Sequence, residues 1–76
     1  TTEQGIKQIR NNLSNLSDWK NLMELIPKFY LDNEMKRTGI AGIFAASLEL
    51  AKEGIVSVNQ KKGFEKLMIK RSQNEK

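Results

Sequence analysis

The spacing of apolar residues at the start of the chain predicts an amphipathic helix. Ile6, Ile9 and Leu13 recur at the spacing of one helix face. Before them, Thr1 and Gln4 stand three residues apart, which is the pattern of a capping box. The sequence therefore predicts a first helix over residues 2–13.

A second, shorter helix is predicted after a turn near residues 14–17. The next apolar residues share one helix face, and Pro27 follows where that helix would end. Because Trp19 is the only tryptophan and has a large apolar area, we expect it to anchor the core. The residues predicted to share the face are Trp19, Leu22, Met23 and Ile26.

The third predicted helix is apolar on nearly all sides. It begins between residues 33 and 38, runs to Ala51, and stops at Gly54, a residue suited to a left-handed C-terminal position. Between Thr38 and Ala51 only Glu49 is charged. A helix with so little polar surface must be covered on most sides. We therefore expect one flank to pack into the core and another to contact a partner.

The last third of the chain changes from helical spacing to alternation. Residues 55–60 and 64–70 predict two strands, and residues 61–63 predict the turn of a hairpin. Three helices followed by a hairpin predict an α+β fold, a small winged helix with the hairpin as its wing. We assign residues 1–71 to this single domain and residues 72–76 to a frayed polar tail.

The composition excludes several kinds of chemistry. The 76 residues include no Cys and no His, so metal–thiolate sites, Cys nucleophiles and Ser–His catalysis are excluded. Glu49 and Glu53 lie one helical turn apart, but the sequence has no second acidic cluster, His, Cys or phosphate-binding loop to complete a catalytic site with them. No apolar run has the length of a membrane span. We expect a non-enzymatic, cytoplasmic domain without metal or cofactor.

The formal net charge of +4 is concentrated towards the C-terminus. A basic cluster there would suit phosphate or an acidic protein surface, or serve as a solvated face. The predicted third helix, however, offers no Arg, Lys, Asn or Gln between residues 38 and 51 for reading base edges. The cluster consists of Lys61, Lys62, Lys66, Lys70 and Arg71.

The third helix and the hairpin together resemble one protein family. Residues 44–54 read FAASLELAKEG, with Gln60, Phe64 and Leu67 following at fixed distances. This is similar to the pattern F-x-A-x-LELA-x-x-G and then Q-x-x-x-F-x-x-I of the C-terminal winged-helix domain of bacterial kleisins of the segregation and condensation protein A (ScpA) family. The chain departs from the family in its basic residues around Phe64 and in Leu67 for Ile.

The resemblance implies an adaptor of chromosome condensation and segregation, associated with the nucleoid. Such a domain docks on the head of an SMC ATPase, and the middle region of the kleisin, outside this sequence, binds ScpB. It implies no sequence-specific DNA reading. A winged helix that binds nucleic acid through its basic wing is the alternative. The residues that the resemblance assigns to the SMC head are Phe44, Leu48, Gln60, Phe64 and Leu67.

Overall fold

The chain folds as a small α+β unit of two long helices and a three-stranded antiparallel sheet. The computed structural model describes residues 1–31, 34–60 and 66–72, without the side chain of Phe29. Helix α1 spans Thr2–Asn11 and helix α3 spans Lys36–Lys52. Buried residues from these helices, the connecting segment and the sheet form one core. The largest fully buried apolar side chains are those of Ile9, Leu16, Leu50 and Ile69.

The predicted capping box at the start of α1 is confirmed. The Thr1 hydroxyl accepts the Gln4 backbone N–H at 3.2 Å, and the Gln4 side chain accepts from the Thr1 nitrogen at 3.0 Å. The helix ends at Asn11, earlier than predicted, and a 3₁₀ turn at Leu13–Asn15 follows. The side chain of Asn12 donates to the Gln8 carbonyl at 2.8 Å, a local bond of the kind that competes with helix continuation.

The predicted second helix over residues 19–26 is wrong. Strand β1, Lys20–Asn21, and a 3₁₀ helix, Leu22–Leu25, take its place, and the one-turn helix α2, Lys28–Leu31, follows Pro27. The Asn21 side chain accepts the backbone N–H of Met23 at 2.9 Å, which caps the 3₁₀ helix. The predicted order of three helices is therefore not confirmed, because only α1 and α3 are long helices and α2 is a single turn.

Trp19 is not a core anchor, contrary to the sequence prediction. Its side chain lies at the surface, 40% exposed, and the Nζ atom of Lys70 lies 5.4 Å from its ring centroid. Because β1 pairs with β3 immediately after Trp19, the neighbourhood of the ring is the sheet and not the helix core. Leu22, Leu25 and Ile26 supply the buried apolar surface of this segment.

Helix α3 begins within the predicted window and ends as predicted. Gly54 has a positive φ of 81°, and its N–H donates to Ala51 while the N–H of Ile55 donates to Leu50. These two bonds form the Schellman arrangement that ends a helix at a left-handed residue. The buried face of α3 carries Gly42, Ile43, Ala46, Ser47 and Leu50.

Two glycines let α1 and α3 cross closely. A Cβ atom added at Gly5 would lie 2.6 Å from the carbonyl oxygen of Gly42. A contact of that length with backbone cannot be relieved by turning a side chain, so any larger residue at position 5 would push the helices apart. The crossing holds Ile9 and Ile43 in the core.

The predicted hairpin is present, with strand β2 at Val56–Gln60 and strand β3 at Leu67–Arg71. The sheet order is β1-β3-β2, and Val58 lies opposite Ile69. Val56 and Ile69 are buried while Ser57 and Asn59 are exposed, so the predicted alternation holds. The predicted turn at residues 61–63, and Phe64 with Glu65, lie outside the described residues, as do residues 73–76. The Ser72 N–H donates to Ile55 at 3.0 Å.

Candidate protein-docking surface

Two large apolar side chains are exposed on the middle of α3. Phe44 and Leu48 stand one helical turn apart and remain 43% and 49% exposed. Because successive helix residues are about 100° apart, the inward direction of Ile43 turns Phe44 away from the core. The core side of this helix is filled by its other apolar residues, so Phe44 and Leu48 are surplus to the core. The predicted flank in the core is therefore confirmed, and the contact of the exposed flank with a partner stays a prediction.

Phe44 forms one wall of an apolar groove that three parts of the chain build. The volume of the groove, about 190 Å³, is smaller than the roughly 300–1,000 Å³ of typical small-molecule sites. It therefore suits a side chain of a protein partner better than a drug-sized ligand. The 3₁₀ helix contributes Leu22 and Met23, α3 contributes Ile40, Ile43 and Phe44, and the ends of β2 and β3 contribute Gln60 and Leu67.

The groove brings together three of the five residues predicted to contact a partner. Phe44, Gln60 and Leu67 all line it, although Phe44 is separated from Leu67 by more than twenty residues of chain. Leu48 lies outside the lining, one turn along α3 from Phe44. Phe64 is outside the described residues. We call Phe44, Leu48 and the groove lining the docking surface.

Met23 is a groove residue that the sequence did not assign to a docking surface. It was predicted to share a helix face with Leu22, but the 3₁₀ helix buries Leu22 and leaves Met23 39% exposed. The flexible thioether of a methionine suits a surface that must adapt to a partner. Asn21, a residue that favours caps over helix interiors, was the available signal for the change of structure at this point.

The docking surface has an apolar centre and charged surroundings. No side chain that lines the groove in the described part of the chain is charged. Exposed Lys66 precedes Leu67, and exposed Glu49 and Lys52 follow Leu48 on α3. An apolar centre with a polar rim is the usual anatomy of a protein–protein interface.

Three residues of the predicted basic cluster, Lys66, Lys70 and Arg71, lie in the described part of the chain. Lys70 and Arg71 are consecutive in β3 and so direct their side chains to opposite faces of the sheet. Lys70 lies by Trp19, whereas Arg71 donates to the Leu13 carbonyl at 3.3 Å. Lys66 is exposed at the other end of the strand, and Lys61 and Lys62 lie outside the described residues.

Two basic residues that the sequence argument left out lie in the first turn of α3. The helix begins at Lys36, so Lys36 and Arg37 belong to it and are exposed. They lie at its N-terminal end, whereas the exposed positions further along include Ala41, Phe44 and Leu48. Between residues 39 and 48, the exposed positions of α3 are therefore all apolar, whereas both ends of the helix carry exposed charged residues.

Neither a metal centre nor a membrane-spanning helix is found within residues 1–31, 34–60 and 66–72. No group of three His, Cys, Asp or Glu side chains in these segments is placed to hold a metal ion. None of their helices has the length and apolar character needed to cross a membrane. Comparison of the sequence with protein-family models found no match, and comparison with curated proteins found none.

Proposed function

We propose that this domain is a non-catalytic winged helix that docks on another protein. The winged-helix interpretation is supported by the order of elements: a short strand in the first half pairs with the hairpin, and the long helix α3 runs directly into that hairpin. The single turn α2 stands where a longer second helix is usual, so the domain would be a reduced version of the fold.

Within that class, we infer that the domain is the C-terminal domain of a kleisin of the ScpA family. Its partner would then be the head of an SMC ATPase, in a cytoplasmic complex that acts on the nucleoid during chromosome condensation and segregation. ScpB would bind a part of the kleisin outside this sequence. The inference depends on the similarity of residues 44–54 and the hairpin to the family pattern.

The observation that carries the docking proposal is the exposure of Phe44 and Leu48 beside an uncharged groove. Full burial of a Phe or Leu side chain stabilises by about 1.5–3 kcal/mol, so a half-exposed residue has about 1 kcal/mol still to gain from a partner. Two such residues next to a groove could supply much of the binding free energy of an interface. Interfaces depend on a few central residues of this kind.

Nucleic-acid binding, the alternative, receives less support from the same surface. The exposed side of α3 has few groups that donate hydrogen bonds to base edges, and Lys70 and Arg71 lie on different faces of the sheet. Contacts from Lys36 and Arg37 to phosphates would give binding without sequence preference that weakens as salt increases.

Calorimetric titration of this chain into the cognate SMC head, with and without ATP, tests the proposal. A DNA duplex at low and high salt is the parallel titrant. We expect a saturable one-to-one complex with the head and no more than weak, salt-sensitive binding to the duplex. Tight duplex binding without any head complex would contradict the docking proposal and favour the alternative.

A further inference from the structure

Within the described residues, one edge of the sheet lacks the features that usually prevent strands from pairing between molecules. β2 is an edge strand of five residues, Val-Ser-Val-Asn-Gln, without a charged residue, a proline or a glycine. Edge strands in native proteins are normally blunted by shortness, charge, proline or a bulge. The opposite edge, β1, has two of these protections because it is only two residues long and includes Lys20.

The hydrogen bonds around the hairpin show which backbone groups of β2 face outwards. The Ser72 N–H donates to Ile55, so residues 55 and 72 form a hydrogen-bonded pair in the register that sets Val56 opposite Arg71. Because such pairs alternate along antiparallel strands, Ser57 bonds to β3 whereas Val56 and Val58 direct their N–H and C=O groups away from it. The Arg71 N–H is consistent with this pattern, because it points away from β2 and donates to the Leu16 carbonyl at 2.7 Å.

We propose that β2 pairs in antiparallel orientation with β2 of a second copy of this chain, around a twofold axis at Val58. The two Val58 residues then exchange their outward N–H and C=O groups, and two three-stranded sheets become one of six strands. On the exposed face, Ser57 of each copy lies opposite Asn59 of the other, where a hydroxyl and an amide can form a hydrogen bond.

The lack of charge on β2, together with the Ser57–Asn59 pairing of the twofold register, supports a second copy as the occupant. Pairing of identical edges is normally opposed by like charges brought directly opposite each other. The chain has a net charge of +4, yet β2 contributes no charge to it, so two such edges meet without that repulsion. Contact along one strand buries little surface, so the dimer is weak and forms at high protein concentration. The proposal is independent of the proposed function, because its test uses this chain alone.

Sedimentation equilibrium of the chain and two double variants tests the pairing and its register. Ser57→Glu with Asn59→Glu sets like charges opposite each other across the twofold axis, whereas Ser57→Glu with Asn59→Lys sets opposite charges there. Both positions are exposed, and Ser57 lies opposite Lys70 within the sheet, so a glutamate there is compatible with the fold. Circular dichroism of each variant checks that the fold is kept.

We expect measurable self-association of the unchanged chain, a loss of at least tenfold in the association constant for the first variant, and recovery in the second. The first variant has a lower net positive charge, so loss of association cannot result from general repulsion. A monomer at all concentrations, or equal association of the two variants, overturns the proposal. Binding of an unrelated extended peptide without self-association also overturns it.

Discussion

Two leucines of α3, two residues apart, provide the most informative comparison of core with docking surface. Leu50 is 1% exposed and Leu48 is 49% exposed, so the same change to alanine removes the same atoms from opposite environments. Leu50→Ala leaves a cavity in a closed core, which costs about 2–5 kcal/mol of unfolding free energy. This is a large share of the roughly 5–15 kcal/mol that stabilises a typical domain.

Leu48→Ala should cost much less stability. About half of the side chain is already in water, and full burial of a leucine stabilises by about 1.5–3 kcal/mol, so the lost contact is about 1 kcal/mol. No closed cavity forms, and the better helix propensity of alanine offsets part of the loss. The net change in unfolding free energy should therefore stay below about 1 kcal/mol.

Urea unfolding followed by circular dichroism measures both effects. With a slope of about 1 kcal/mol per molar urea for a small domain, Leu50→Ala should lower the midpoint by about 2 M or more and Leu48→Ala by less than about 1 M. In a titration into the proposed partner, the SMC head, Leu48→Ala should lose about 1 kcal/mol or more of binding free energy, which weakens binding at least about fivefold. Equal midpoint losses at the two positions, or unchanged head affinity for Leu48→Ala, would refute the reasoning.

Three other predictions concern the helix ends, the helix crossing and the exposed tryptophan. Gly54→Ala should lower the unfolding free energy by about 1–2 kcal/mol, measured as a lower melting temperature, because φ is 81° at this position. A Cβ atom there would meet nothing within 4 Å, so the cost comes from the backbone conformation alone, and Gly54→Asn should lose less. Gly5→Ala should cost about 1–3 kcal/mol in the same assay, because its Cβ would meet the Gly42 carbonyl; a variant as stable as the parent would contradict the close crossing. Trp19 fluorescence should be quenched by acrylamide in the folded protein, and Lys70→Ala should change stability by no more than about 1 kcal/mol; a shielded, unquenched ring would show that Trp19 is buried.

The periodic parts of the fold could be predicted from the sequence because local rules act alone there. The capping box of α1, the glycine that ends α3 and the alternation of β2 each depend on residues within one or two turns of each other. The helix predicted for residues 19–26 was wrong because contacts with residues distant in sequence determine the structure of this segment. Pairing of Lys20 with Ile69 extends this segment, and the Asn21 cap then starts a 3₁₀ helix with the same apolar residues.

The docking surface was predictable only in part. The sequence of α3 is apolar on more sides than the core can cover, which predicts an exposed apolar flank. Phe44 and Leu48 form this flank. The helix pattern does not reveal that Met23 joins it, because the groove needs the 3₁₀ helix and the end of the hairpin in place. The scattering of Lys70 and Arg71 was likewise hidden, since neighbours in sequence lie on opposite faces of a strand.

Matched arginine substitutions at two exposed aromatic residues test the docking surface most directly. Phe44 and Trp19 are 43% and 40% exposed, but only Phe44 lines the groove. The measurement is calorimetric titration of Phe44→Arg and Trp19→Arg into the SMC head, with urea unfolding to confirm that both variants remain folded. We predict that Phe44→Arg abolishes the complex and Trp19→Arg preserves it. Retained binding by a folded Phe44→Arg variant, or equal loss in both variants, would contradict the assignment of the docking surface.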